Sequence, residues 1–581
     1  MRTSGVARRV VTALIAGAAL VACTPPPPPL ASPLPAASPA TVPAPKREVV
    51  LGVDRLVGGF NPHTLADLTP VSEAVTGLVL PSAFRQTPTG QWVLDRTLLN
   101  SAEVTSTAPF TVTYRIRRNA QWSDITPIAA EDFGYLAAQM RTQPGVVDSA
   151  GYQLIDQVIS RDGGKTAQVV FYRPYAGWRT LFRHLLPAHL LKDAPGGWSR
   201  ALDDGVPASG GPFAITSVDR SRGEMVLERN DRYWDTPTQL GRIRLRQGSE
   251  AAVIEALRTG GVQGALFGRP NAITESLLRA AELGVSPIVV PQPVLVSVLM
   301  RPGSRLLRDQ RMRTAVAAVL DRPALIATGV ASGPSATLRA DSPVLAPSAP
   351  GYRATAPATG VPVEPQPDTA RRLLTDAGYT RGAAGWQRAG RPLHLVVAAP
   401  AGQEPYGTLA ARVVDQLRTA GIDAVLREAD PDELFGTLLG PGAAEQLPRG
   451  SSSQLPVAEG TSPDIDIVVL PQPAAGHPAT QLASWYGCPL VVPARVAPAP
   501  PNPAQFCDVA LQRMIERALT QDDPAGSLPP AVDAALWERA VLIPLYQPVS
   551  LFITTSRLPG VAPGAPLEGP LDGAARWQLR P

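Results

Sequence analysis

Few side chains in this 581-residue sequence are spaced for catalysis. The five histidines are scattered along the chain, and neither an H-E-x-x-H helix motif nor a G-x-S-x-G nucleophile motif occurs. A Gly-rich phosphate loop is also absent, so no cofactor is expected. A glycosidase needs only two carboxylates, and their spacing in sequence is not fixed. A hydrolase acting on envelope glycans therefore stays open as an alternative to a binding protein.

Two of the three cysteines are placed to form a disulfide. Cys488 and Cys507 enclose a loop of 18 residues, 489–506. In an oxidising compartment such a pair is expected to form a bond, which stabilises the fold by about 3 kcal/mol on the chain-entropy model. Two free buried thiols are the alternative. A zinc site is disfavoured, because no histidine lies near either cysteine and neither belongs to a C-x-x-C pair.

The start of the chain indicates the compartment in which the protein works. Three arginines precede an apolar run that is too short for an ordinary membrane-spanning helix, which is typical of a secretory signal. The run ends in Leu-Val-Ala-Cys at 20–23, which resembles the lipobox of bacterial lipoproteins. We expect residues 1–22 to be a signal peptide and Cys23 to be a lipidated N-terminus on the outer face of the cytoplasmic membrane. A plain secretory signal with a chance cysteine is the alternative.

A proline-rich segment follows the predicted lipidation site. Ten of the 22 residues 24–45 are proline, including five in a row. Such a segment cannot build a core and is mostly extended, with a reach of at most about 70 Å. We interpret residues 23–45 as the lipidated cysteine and a stalk that lifts the folded part off the bilayer. A ligand for an SH3-type domain is the alternative, although it has little meaning outside a cell.

The charge pattern excludes one class of partner. The formal net charge of +4 falls to about +1 when the signal and its three arginines are removed. No basic block or arginine-aromatic stripe stands out, so nucleic acid is not an expected partner. An acidic cluster at 428–433 is interpreted as solvated surface, with a partner-binding patch as the alternative.

Strand and helix patterns alternate through the rest of the chain. Apolar or alternating runs predict strands at 49–53, 110–116, 393–398, 422–426 and 465–470. Helical spacing predicts helices at 130–140, 313–325, 369–377 and 410–417, with Asp368 as the N-cap of the third. This alternation predicts an α/β fold. The Gly-, Ser- and Pro-rich stretch at 440–463 is expected to be a mobile loop.

Four groups of residues resemble a known family when they are taken together and in order. They are the Trp-Ser-Asp and Glu-Asp-Phe elements within 121–133, the Gly-Pro-Phe at 211–213 with the Arg-Asn-x-x-Tyr-Trp at 229–234, the Arg-x-Ala and Asp-Arg elements within 313–322, and the helix at 368–379. They are similar to the family 5 extracytoplasmic solute-binding proteins, which include dipeptide-, oligopeptide- and nickel-binding proteins. The likeness covers nearly all of residues 49–560. Ile125 departs from it, because the family usually has glycine there.

The resemblance implies a fold and a domain division. It implies a two-lobed α/β protein of the periplasmic-binding-protein type (type II, cluster C), whose lobes are joined by crossing strands. The first lobe is discontinuous and takes residues 46–290 with 545–581. The second lobe takes residues 291–544.

The resemblance also implies a class of ligand. Residues 60–63, 80–85, 143–148 and 485–489 are similar to an actinobacterial lipoprotein of this family that is tied to phosphatidylinositol mannoside and lipoarabinomannan synthesis. This implies a monomeric, non-catalytic protein that binds a mannosylated phosphoinositide, or a mannosyltransferase in the membrane, and so regulates that synthesis. A peptide receptor of an ABC importer is the alternative. Peptide binders of the family follow one strand with an acid-aromatic segment, whereas residues 471–474 here read Pro-Gln-Pro-Ala.

Three residues are the candidates for ligand contact. Trp485 and Tyr486 offer flat faces on which sugars stack, and Asn61 lies in an early turn that could face a cleft. Packing between the lobes is the alternative for all three. Trp122, Trp234 and the helix-start acid Asp132 are expected to be scaffold.

Overall fold

The computed structural model describes residues 47–285, 287–440, 465–488, 502–520 and 530–580. The predicted signal peptide, Cys23 and the proline-rich stalk lie outside these ranges, as does nearly all of the predicted loop at 440–463. Within them, no helix has both the length and the apolar character needed to cross a membrane.

The strands are numbered in chain order. They are β1 (Glu48–Val53), β2 (Phe84–Gln86), β3 (Trp92–Leu94), β4 (Leu99–Thr107), β5 (Phe110–Ile116), β6 (Ile155–Arg161), β7 (Thr166–Phe171), β8 (Phe213–Asp219), β9 (Glu224–Arg229), β10 (Arg242–Gln247), β11 (Gly264–Phe267), β12 (Ile288–Pro291), β13 (Val294–Met300), β14 (Thr380–Gly382), β15 (Gly385–Arg388), β16 (Arg391–Pro392), β17 (His394–Pro400), β18 (Asp423–Ala429), β19 (Ile467–Pro473), β20 (Leu542–Tyr546) and β21 (Val549–Thr554).

The helices are numbered in the same way. They are α1 (Pro70–Val79), α2 (Ala130–Thr142), α3 (Ala150–Gln153), α4 (Ala188–Leu191), α5 (Gly197–Arg200), α6 (Glu250–Arg258), α7 (Ala272–Ala280), α8 (Gln310–Ala317), α9 (Arg322–Val330), α10 (Pro367–Asp376), α11 (Tyr406–Thr419), α12 (Pro478–Tyr486), α13 (Val509–Thr520) and α14 (Pro530–Arg539).

Two large mixed sheets organise the molecule. The first sheet has the order β12-β21-β11-β1-β10-β9-β8, and β1 at its centre runs parallel to both β10 and β11. The second sheet has the order β18-β17-β19-β13-β20, and β17 runs parallel to β18 and β19. A separate antiparallel sheet, β4-β5-β7-β6, packs within the core that also holds β1.

The chain passes between the two large sheets twice. It leaves the first sheet after β12 and enters the second at β13, and it returns from β20 to β21. The junction residues are Gln292-Pro293 and Gln547-Pro548. Residues Lys46–Pro581 pack as one unit, and the proposed lobe boundaries at 290/291 and 544/545 stay a prediction.

Two glutamine side chains hold this crossing together. The Gln547 amide nitrogen donates to the Gln292 carbonyl at 2.8 Å and to the Ser348 hydroxyl at 2.8 Å, and its oxygen accepts from the Ser348 amide at 2.9 Å. The Gln292 side chain donates to the Gly268 carbonyl at 2.7 Å. Gln547 is completely buried, so these polar groups are satisfied by protein and not by solvent.

The predicted elements agree with the structure where a local pattern was sufficient. The strand predicted at 110–116 is β5, and the helix predicted near 130–140 is α2. The continuous helix predicted at 313–325 is wrong, because α8 ends at Ala317 and α9 begins at Arg322. Asp321 caps the second helix by accepting from the Ala324 amide at 2.9 Å, and a proline near its start has no N–H to continue the first.

Two further expectations concern helix starts. Asp368 is not the N-cap of α10, because Gln366 holds that position and Pro367 is the first helical residue. Asp132 is buried at the start of α2, where one carboxylate oxygen accepts from the Ala129 amide at 2.9 Å and from the Trp122 indole at 3.3 Å. The other oxygen accepts from the Ala188 amide at 3.0 Å. The Trp122–Asp132 element therefore acts as scaffold that joins three segments.

Replacing Gln547 with leucine is expected to destabilise the fold. The substitution leaves the buried Gln292 carbonyl without its Gln547 donor, and such a loss costs about 1–3 kcal/mol. Urea denaturation measures the loss. The matched control is Gln387→Leu at an exposed position, which should change the free energy of unfolding by less than about 0.5 kcal/mol. Equal values for both variants would contradict this role.

A carboxyl in α1 makes stability depend on pH. Burial raises the pKa of Glu73 from 4.5 to about 8, and no hydrogen-bond or ion-pair partner of its carboxylate lies in the described ranges. Between these two pH values the folded chain keeps a proton that the unfolded chain has lost, so the free energy of unfolding falls as pH rises.

Glu73→Gln is expected to remove this part of the pH dependence. Its stability relative to wild type should increase from pH 5 to pH 9 in urea titrations. Glu131→Gln, an exposed acid in the first turn of α2, is the control and should leave the slope unchanged. A wild-type slope retained in Glu73→Gln would assign the effect to other groups.

Candidate functional site

A cavity of about 300 Å³ lies where the two large sheets face each other. We call it the sheet-edge cavity. Its walls come from four parts of the chain and from the crossing strands. The lining residues are Asp54, Arg55, Val57, Leu68, Thr69, Pro70, Val71, Gly248, Ser249, Glu250, Gly268, Arg269, Asn271, Gln292, Gln403, Glu404, Pro405, Tyr406 and Pro548.

The position of this cavity follows from the parallel strands. Asp54 directly follows β1, Gly248 follows β10 and Gly268 follows β11, so the three residues lie at one edge of the first sheet. Residues 403–406 follow β17 at the carboxyl edge of the second sheet. Ligands of open α/β sheets bind outside the carboxyl ends of the strands, and this cavity has that location.

Helix starts surround the cavity. Thr69, Ser249 and Asn271 are the N-caps of α1, α6 and α7, and Pro405 directly precedes α11. All four residues line the cavity. The positive ends of four helix dipoles are therefore directed at one volume, which favours a negatively charged group there.

Two arginines add positive charge to the cavity. Arg55 donates to the Gly402 carbonyl at 2.9 Å and so connects the segment after β1 with the segment after β17. Arg269 is exposed, and its guanidinium has no hydrogen-bond or ion-pair partner among the residues that the structure describes. Arg269 is therefore available to a ligand, and a guanidinium is well suited to bind phosphate.

Three carboxylates also line the cavity, those of Asp54, Glu250 and Glu404, so its acidic side chains outnumber its two arginines. Asp54 accepts from the Gly268 amide at 2.9 Å and from the Arg269 amide at 3.3 Å, which fixes the loop that carries Arg269. Burial raises the pKa of Asp54 above its ordinary value. The cavity can thus hold an anionic group beside a polar surface of mixed donors and acceptors.

The predicted candidate Asn61 is a buried loop residue that is 1 % exposed. Its amide nitrogen donates to the Trp198 carbonyl at 3.0 Å, and its side-chain oxygen accepts from the His63 amide at 3.2 Å. Asp67 accepts from the backbone amides of Gly59 and Asn61 and closes the same loop. Asn61 is not among the side chains that line the sheet-edge cavity, and ligand contact by it stays a prediction.

Trp485 and Tyr486 lie at the end of α12 and are 3 % and 2 % exposed. The Tyr486 hydroxyl donates to the Pro343 carbonyl at 3.4 Å, and its ring packs edge-on against Phe506 with 6.2 Å between centroids. Both rings therefore contact protein on their faces. Neither lines the sheet-edge cavity, so the structure does not bring the three candidates together there.

Cys488 and Cys507 form a disulfide in the structure, with the two Cα atoms 4.6 Å apart. The bond fastens the end of α12 to the segment before α13. Most of the enclosed loop lies outside the described ranges.

The cavity-lining residues were missed at the level of sequence. A usable signal was present, since Ser249-Glu250 follows an alternating strand, Asn271 follows a short apolar strand, and both match N-cap preferences. Arg55 and Arg269 carry no local signal that separates them from the other arginines.

Comparison with known proteins gives the family. Residues 96–456 match the model described as bacterial extracellular solute-binding proteins, family 5 middle. The chain is also 34% identical, over 98% of its own length and 97% of the relative, to the probable monoacyl phosphatidylinositol tetramannoside-binding protein LpqW from Mycobacterium tuberculosis.

Solved structures agree on the fold. The oligopeptide-binding protein AppA from Bacillus subtilis, in complex with a nonapeptide, has a TM-score of 0.70 at 14% identity and covers 93% of this chain and 100% of its own. The periplasmic EDTA-binding protein EppA has a TM-score of 0.66 at 22% identity and covers 92% of this chain and 97% of its own. The predicted two-lobed binding-protein fold class is confirmed, and the chain belongs to the family 5 bacterial extracellular solute-binding proteins.

Proposed function

We propose that this protein binds a mannosylated phosphoinositide in the space between its two sheets and thereby regulates phosphatidylinositol mannoside and lipoarabinomannan synthesis. The phosphate would lie in the sheet-edge cavity, against the helix starts and Arg269. A volume of about 300 Å³ is at the lower end for small-molecule sites, so it suits the phosphate-bearing end of such a headgroup.

The observation that carries this proposal is the match along almost the whole chain to the relative from Mycobacterium tuberculosis, which its name describes as a tetramannoside binder. The geometry supports it independently, because four helix starts and an unpaired guanidinium among the described residues favour an anionic group. Both observations favour a ligand that carries a phosphate group.

We also propose that the protein works at the outer face of the cytoplasmic membrane. Lipidation at Cys23 would keep it at the outer face of the cytoplasmic membrane, where a glycolipid or a membrane mannosyltransferase is within reach of the stalk. Binding alone is proposed, without catalysis, since the family consists of binding proteins.

A peptide receptor is the second candidate, and the fold of the nonapeptide-bound AppA is the observation in its favour. The segment after β19 argues against it. Gln472, at the position where peptide binders continue toward their acid-aromatic segment, is buried and donates to the Pro343 carbonyl at 2.7 Å. The end of this strand is part of the protein core. It carries no acidic side chain that could bind the amino group of a peptide.

Native mass spectrometry of the full chain in detergent distinguishes the two candidates. The protein is incubated with an envelope-lipid extract and a pool of peptides. We expect retention of a mannosylated phosphoinositide without peptides. Retention of peptides would replace the proposal with an import receptor, and retention of neither would rule out the proposed ligand.

Arg269→Gln is expected to weaken binding of the phosphoinositide about tenfold, because it removes one charge-assisted contact to phosphate. The control is Arg391→Gln, since Arg391 is exposed and lies outside the sheet-edge cavity. Isothermal titration calorimetry measures both variants. Unchanged affinity in Arg269→Gln would place the phosphate elsewhere.

A further inference from the structure

A second, smaller cavity lies beside the loop that follows β1. Its volume is about 60 Å³, and we call it the polar cavity. It is enclosed by the turn at 62–63, β3, the end of α2, two loops of the first part of the chain, and the start of α12. Its lining residues are Pro62, His63, Trp92, Met140, Val147, Asp148, Tyr152, Thr180, Leu181, Arg183, His184, Gly476, His477, Thr480 and Leu567.

Three buried polar atoms of its lining residues lack a partner in the described part of the protein. They are Asp148 Oδ1, Arg183 Nε and His184 Nε2, and all three atoms are buried. Buried polar atoms are almost always hydrogen-bonded, and each exception calls for an explanation. Three exceptions in one small cavity point to a ligand that supplies the missing bonds.

The backbone is strained at the same place. Asp148 and His184 have φ values of 48° and 47°, and Phe182, two residues before His184, has 58°. The left-handed region is unfavourable for such residues and persists only where the surroundings enforce it. The Tyr152 hydroxyl accepts from the Phe182 amide at 2.7 Å, and the Ser82 hydroxyl accepts from the His184 amide at 2.9 Å. These bonds hold the backbone of residues 182–184 in this conformation.

The three atoms together select a kind of ligand. Asp148 Oδ1 only accepts, Arg183 Nε only donates, and a neutral imidazole nitrogen does either. A cation would face the guanidinium, and an anion would face the carboxylate. A hydroxyl group both donates and accepts, so a pair of neighbouring hydroxyls satisfies the set.

The volume and the walls of the polar cavity limit the kind of ligand further. A volume of about 60 Å³ holds about two water-sized groups, so it takes one corner of a sugar ring and not the whole ring. Trp92 gives the cavity an aromatic wall next to the Arg183 guanidinium, whose central carbon is 5.8 Å from the ring centroid. An aromatic face beside hydroxyl-binding groups suits the apolar face and polar edge of a saccharide.

A loop from the second sheet closes the cavity. A Cβ at Gly476 would lie 2.8 Å from Asp148 Oδ2, so a larger residue there would displace the Asp148 carboxylate. With its amide oxygen turned toward the loop, Gln481 accepts from the backbone amides of Ala475 and Gly476 at 2.8 Å each. The Thr480 hydroxyl contacts the Tyr175 hydroxyl at 2.6 Å. The cavity therefore exists only when the segment after β19 is docked on the first part of the chain.

We propose that the polar cavity is a subsite for two neighbouring hydroxyl groups of a neutral sugar, held by Asp148, Arg183 and His184. The subsite would bind one mannose of the ligand whose phosphate lies in the sheet-edge cavity, and this part of the inference rests on the proposed function. The loop after β1 contributes Leu68 and Thr69 to one cavity and Pro62 and His63 to the other, so the two cavities share this loop as a wall.

Ligand-observed NMR on the full chain tests this assignment with two probes, methyl α-mannoside and inositol 1-phosphate. Asp148→Asn and Gly476→Ala are expected to weaken mannoside binding about tenfold or more, because each removes or displaces one charge-assisted hydrogen bond. Both should bind inositol 1-phosphate as wild type does. Asp193→Asn, at an exposed position, and Gly134→Ala, where a Cβ meets nothing within 4 Å, are the matched controls.

The outcomes separate this inference from the proposed function. Mannoside binding that is unchanged in both variants, or absent in wild type, would overturn the sugar subsite while leaving the phosphoinositide result to stand by itself. Mannoside binding that depends on Asp148, in a protein that retains no phosphoinositide, would support the subsite and reject the proposed function. Thermal unfolding of each variant shows whether a loss of binding reflects a loss of fold.

Discussion

The double crossing of the chain between its two sheets is the constraint on which both cavities depend. Each crossing pairs a glutamine with a proline, and a proline has no N–H with which to continue a strand ladder. The Gln292 and Gln547 side chains supply hydrogen bonds that the backbone cannot make there, and the Gln292 amide donates to the Pro548 carbonyl at 2.9 Å. The sheets are thus joined by satisfied, buried polar groups, which fixes the distance between their edges.

This fixed edge-to-edge arrangement explains why helix starts converge. In each sheet the central parallel strands deliver the chain to the same edge, and the helix that follows a strand begins there. Facing edges therefore bring the N-caps Ser249 and Asn271 of one sheet opposite Pro405 of the other. The convergence of helix N-termini on the cavity is a consequence of topology and needs no cluster of basic residues in the sequence.

The sequence predicted the structure correctly where the residues of one segment determine its conformation. Alternation located β5, helical spacing located α2, and the residue pattern was sufficient for the fold class. It failed at 313–325, where a capping aspartate and a proline outweigh a continuous helical pattern. Trp485 lies in a buried helix, and its predicted stacking on sugars stays a prediction. Both cavities combine segments that are hundreds of residues apart, so no local pattern predicts them.

The two cavities differ in chemistry but share their walls. The loop after β1, which Asp67 holds closed, lines both, and so does the carboxyl edge of the second sheet, through Gln403 in one and His477 in the other. β17 and β19 are parallel neighbours, so the segments that follow them leave the sheet at the same edge. A ligand with a phosphate at one end and neutral hydroxyls further along would engage both cavities with the sheets in a single arrangement. An unmodified peptide carries no phosphate and no pair of neighbouring hydroxyl groups, so it would not match both cavities in this arrangement.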